Sequence, residues 1–238
     1  MPRIPTECRE RPSKINLQTG IVPRVDFEAL GHIASVMLID YFAVIVGVVT
    51  GALFGVSRKL DVVGSITTAL LTGFGGGIIR DILLHSQGFF FMEHPTLVVA
   101  CISAAILVFS GAGYIRHLDS VLNVADAFSI ALYALAGAAK AWSAGVNPVY
   151  VVLLGTITAV GGGALATIFI GETPRIFKSS DYYAIAGFIG AFAYCCCTLA
   201  GLNQFACSII CVGVCLATRA ISLKFNLTTK SADAGKDG

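Results

Sequence analysis

Charge is what this sequence has least of. Only 13% of its 238 residues are Asp, Glu, Lys or Arg, about half the share found in soluble domains, whereas 56% are hydrophobic. With a mean hydropathy of +0.82, such a chain belongs in a membrane. A net charge of +2 and the lack of any basic run interleaved with aromatics exclude nucleic acid as a partner. The four histidines are scattered through tails and loops, with no His or Cys group at metal-ligand spacing and no glycine-rich nucleotide loop. Neither an enzyme nor a cofactor or metal is therefore expected. A "TVGYG" filter is also missing, so any cation path would lack that carbonyl cage.

Cysteine is not scarce, yet its placement argues against a disulfide framework. Seven of the eight, Cys101, Cys195, Cys196, Cys197, Cys207, Cys211 and Cys215, lie within apolar runs and read as small buried hydrophobes. The side chains of "CCC" at 195–197 point about 100° apart on a helix and cannot chelate one metal. Cys207, Cys211 and Cys215 recur every four residues, which predicts a packing stripe.

What is abundant is long apolar sequence. Seven segments approach the roughly 20 residues that cross a bilayer: 33–54, 62–84, 95–115, 121–142, 148–170, 182–202 and 205–223. Residues 1–31 form a polar tail with four prolines, and 225–238 a second tail; both are expected to be disordered. Counting spans, Arg58, Lys59, Arg116, Arg175, Lys178, Arg219 and Lys224 fall on one face, which should be cytoplasmic, leaving the N-terminus outside.

Shifting the chain by 86 residues superposes Asp40 on Asp126, Gly51 on Gly137, Asp61 on Asn147, Thr72 on Thr158, and Gly75, Gly76 and Gly77 on Gly161, Gly162 and Gly163. The repeats, 32–115 and 116–202, hold three spans each. An odd number inverts the second copy, leaving the helix at 203–224 outside the duplication. The expected fold is all-α and membrane-integral, with seven transmembrane helices: two inverted three-helix repeats plus a seventh. Inverted repeats commonly place a substrate or ion path between their halves, at interrupted helices.

Each interior glycine costs a helix roughly 1 kcal/mol relative to Ala, so the two triplets predict interruptions in the second and fifth spans. The competing reading is close helix packing. Ser65, Thr67, Thr68, Thr72, Thr156, Thr158 and Thr167 accompany them. Their hydroxyls can either replace part of an ion's hydration shell or bond back to the preceding turn; Thr72 and Thr158 stand out because the repeat pairs them. Apart from Arg219, counted above with the cytoplasmic face, the charged residues within spans are Asp40, Arg80, Asp81, Asp126 and Lys140. Asp40 and Asp126 either attract cations or tie helices together; Arg80, Asp81 and Lys140 either face a polar interior or snorkel. As sequence neighbours, Arg80 and Asp81 are expected to point apart rather than pair with each other.

The doubled pattern "LIDYFAVIVGVVTGALFGVSRKLDVVG" with "GGGIIRDILL", then "VADAFSIALYALAGAAKA" with "GGGALATIFIGETPRIF", resembles the prokaryotic trimeric intracellular cation (TRIC) channel family over roughly 38–223. The resemblance implies a homotrimer in the prokaryotic inner membrane, surrounded by lipid. Each subunit would hold its own pore between the inverted repeats, passing potassium and possibly sodium, gated at the kinked second and fifth helices. It carries Gly75–Gly77 and Gly161–Gly163 over as kink elements, with Arg80 and Lys140 near the outer half of the path. Relatives often repeat the Arg–Asp pair after the second triplet, where this chain has Ala166 and Thr167. Bacterial relatives have also been labelled glycine transporters, which supplies one alternative; a non-conducting structural membrane protein is another.

Overall fold

The computed structural model describes residues 27–85, 88–112, 117–178 and 182–225. Among these, eight α-helices and one 3-10 turn occur in the order α1 (Phe27–Ser57), α2 (Val62–Leu83), α3 (Phe90–Glu93), α4 (Pro95–Ala112), α5 (Leu118–Ser143), α6 (Pro148–Phe169), the turn Arg175–Phe177, α7 (Tyr183–Leu199) and α8 (Gln204–Phe225). Six helices are long and apolar enough to cross a membrane. α7, with 17 residues, lies at the short end of the spanning range. The seven expected spans are thus α1, α2, α4, α5, α6, α7 and α8. α1 starts at Phe27 and α8 ends at Phe225, each inside a stretch expected to be tail. The rest of both tails lies outside the described residues.

The boundaries repeat as the side chains do. α2 and α6 start and end 86 residues apart, and each is capped by an equivalent side chain: Asp61 Oδ1 accepts from Gly64 N at 2.7 Å, Asn147 Oδ1 from Val149 N at 3.0 Å. Their ends also match. Gly145 (φ 70°) follows α5 and Gly171 (φ 78°) follows α6 in the left-handed conformation that closes a helix, while the equivalent positions after α1 and α2 hold Lys59 (φ 58°) and His85 (φ 50°). Both copies share the backbone turn, and only the second has glycine there. Since a side chain in that region costs roughly 1 kcal/mol, Lys59→Gly should raise the thermal midpoint of the solubilised protein by a few degrees. An unchanged or lower midpoint would mean that Lys59 makes compensating contacts.

Packing respects the same symmetry. α1 lies on α2 as α5 lies on α6; α4 packs against α1 and α2 as α7 packs against α5 and α6. The halves meet through equivalent helices, α1 against α5 and α2 against α6. Lys140, near the end of α5, bonds Asp81, near the end of α2, so α5 ends where α1 begins and the second repeat is inverted. α8 packs on α7 and α5, with Cys207, Cys211 and Cys215 fully buried along its inner face as free thiols.

Candidate functional site

At the centre of the bundle α2 crosses α6 at the two glycine triplets. A methyl group on Gly76 would collide with the Thr158 carbonyl oxygen, and one on Gly162 with the equivalent carbonyl of Thr72. Gly75 would meet the Gly162 Cα at 3.2 Å, and Gly161 the Ile79 side chain at 2.9 Å. Only hydrogen at the α-carbon permits this approach. Both helices continue unbroken through the triplets, so the expected unwound interruptions are absent. Their backbone bonds remain made, and what glycine contributes here is proximity.

Two cavities lie beyond the crossing, one toward each end of the bundle. One is lined by Asp40, Gly77, Ile78, Asp81 and Phe90, together with Arg80 and Tyr133. The other is lined by Asp126, Gly163, Ala164, Thr167 and Ile176, with Thr50, Phe54, Thr72, Arg175 and Tyr183. The first five residues of each set are equivalents under the shift of 86, so the duplication built one recess twice, facing opposite ways.

Their chemistry differs. In the first recess Arg80, 1% exposed, is bonded through Nη1 and Nη2 to the two Asp40 oxygens at 2.7 and 3.2 Å, joining α2 to α1. It does not snorkel. Its Nε donates to Asp81 Oδ1 at 2.9 Å, contrary to the expectation that these neighbours point apart without pairing: Arg80 folds back far enough to join Asp40 and Asp81 in one network. Lys140 Nζ donates to the same Asp81 oxygen at 2.9 Å, and the Phe90 amide donates to the other at 3.4 Å. The Tyr133 hydroxyl donates to the carbonyl of Gly73, two residues before the triplet. In the second recess Asp126 Oδ2 accepts from Arg175 Nη1 at 3.1 Å and from Arg219 Nη2 at 3.4 Å. Both guanidinium groups lie against the Tyr183 ring.

Asp40 and Asp126 thus tie helices together. Of the hydroxyls, Thr67, Thr68, Thr156, Thr158 and Thr167 bond back to the preceding turn. Thr72 lines the Asp126 recess, whereas Thr158 is fully buried and faces neither recess. Tyr133 and Tyr183 were not singled out from sequence, and Arg219 was counted only among the cations of the cytoplasmic face, although it lies inside the seventh apolar segment.

A family model described as "Glycine transporter" matches residues 37–112 and again 123–198, two windows displaced by the same 86 residues. The chain is 30% identical over 156 residues to a UPF0126 membrane protein of Deinococcus radiodurans, covering 65% of this chain and 73% of that one. It is 31% identical over 157 residues to the UPF0126 inner membrane protein YadS of Escherichia coli K12, covering 66% and 75%. Its fold matches the TRIC trimeric intracellular cation channel orthologue from Rhodobacter sphaeroides with a TM-score of 0.76 at 30% identity, over 82% of this chain and all of that one.

Proposed function

We propose that this chain, which belongs to the glycine transporter family, is a cation channel whose path runs between its two inverted repeats. The observation that carries this reading is the pair of equivalent, oppositely facing recesses separated by the Gly76–Gly162 crossing, in a fold similar to the Rhodobacter sphaeroides channel. The path is shut where the backbones meet. It opens when α2 and α6 separate there, which makes Gly75–Gly77 and Gly161–Gly163 the gate. Thr72, Arg80, Asp40, Asp81 and Lys140 stand on one side or the other of that gate, and Thr158 presents its carbonyl to it.

The permeant ions are potassium and sodium, passing without a dedicated carbonyl cage. The working unit is a homotrimer in the inner membrane, one path per subunit. The Asp126 end, beside Arg58, Arg175 and Arg219, faces the cytoplasm under the positive-inside rule, leaving the N-terminus outside. The description of the matching family model favours a second reading, export or uptake of glycine. Purified protein in planar bilayers is expected to give discrete potassium currents. Glycine accumulation by proteoliposomes under a coupled gradient, with no such currents, would establish the transporter instead.

A further inference from the structure

Arg80 and Asp40 are a buried pair, and duplication should have produced it twice. It did so only for the acid: Asp40 has its equivalent in Asp126, but position 166, equivalent to Arg80, is a fully buried alanine. A carboxylate left alone there would be unstable. Arg219 is 1% exposed and reaches Asp126 from α8, the helix outside the duplication. We propose that Arg219 supplies to the second repeat the guanidinium that Ala166 does not, so that α8 is a structural part of the Asp126 recess.

The fit has the marks of a substitute. Arg80 commits all three of its nitrogens to Asp40 and Asp81, at 2.7 to 3.2 Å. Arg219 makes one bond of 3.4 Å to Asp126, while its Nε and Nη1 are buried with no partner among the described residues. It approaches from a different helix and cannot reproduce the two-pronged geometry that Arg80 obtains within its own repeat. Arg175 also contacts Asp126, but from the connection after α6 and with its side chain 40% exposed, so it does not stand in for a buried residue at 166. The placement explains why α8 carries an arginine within an apolar span.

The consequence is a pair of substitutions that are harmful singly and compatible together. Arg219→Met keeps an unbranched apolar stem but removes the guanidinium head and its charge, leaving Asp126 short of a partner. Ala166→Arg in the unaltered protein forces a second buried guanidinium into occupied space. In Ala166→Arg/Arg219→Met the charge returns to the position Arg80 occupies in the first repeat, and the room Arg219 vacated is free. Each single variant should lower the thermal midpoint in detergent by about 5 °C or more, and the double variant should stand above both. If a single variant yields no folded protein, recovery of a monodisperse peak in the double variant is the expected result.

An Arg219→Met midpoint equal to that of the unaltered protein, or a double variant no better than the worse single one, would overturn the proposal. A role for Arg219 in packing alone predicts no rescue from another helix. Stability is read independently of what the protein conducts. Restored stability without potassium current would therefore count against the channel reading and leave this assignment standing.

Discussion

Gly76→Ala and Gly162→Ala should each destabilise the protein by about 2 kcal/mol. Overpacking a tight contact costs roughly 1–3 kcal/mol, and the upper part of that range applies because the obstacle is a backbone carbonyl, of Thr158 or of Thr72, which cannot rotate aside. Replacing a helical glycine by Ala returns about 1 kcal/mol of propensity and offsets part of this. The two effects should fall short of additive, since one separation of α2 from α6 accommodates both methyl groups. Gly77 provides an internal control. A methyl group there meets nothing closer than Arg80 Nη2 at 3.8 Å, so Gly77→Ala should stabilise by up to about 1 kcal/mol. Adjacent residues of one triplet would then move the thermal midpoint in opposite directions. Equal responses at 76 and 77 would mean that the crossing is loose, and would remove the physical basis for a gate there.

Arg80→Met should be the most damaging single change at the other recess. It leaves Asp40 and Asp81 buried, with only Lys140, itself 26% exposed, to balance them. Removing one member of a buried ion pair costs about 3–5 kcal/mol, most of it the penalty for the charge left behind. For that reason Asp40→Asn/Arg80→Met should be less harmful than Arg80→Met alone. Thermal melts of the four-member cycle test this. A double variant as poor as the sum of the singles would show that Arg80 acts through packing and not by neutralising Asp40.

The sequence carried the helices, their inversion and most of the participants in the site, because each of these depends on local or periodic information. α2 and α6 fall within a residue of the expected 62–84 and 148–170, since an N-cap and the end of an apolar run mark them directly. Asp40, Arg80, Asp81 and Lys140 were recognisable as charges out of place. Their partners were not, because Arg80 with Asp40 and Lys140 with Asp81 join residues 40 and 59 positions apart, and only the packing of α1, α2 and α5 brings them together. The triplets were read as breaks because glycine propensity is a property of an isolated helix. Inside the bundle, the close approach that glycine permits outweighs that penalty, and the helices stay intact. α3 and the turn at Arg175–Phe177 are too short to leave a periodic signature.

The arginine on α8 bears on the history of the chain as well as its stability. Two identical three-helix units facing opposite ways would make an assembly that looks the same from either side of the membrane, and neither unit could be told from its partner. Once Asp126 depends on α8, which stands outside the duplication, the copies can no longer exchange places. The protein has acquired a top and a bottom, and cutting it after the second repeat would not recover its symmetric ancestor.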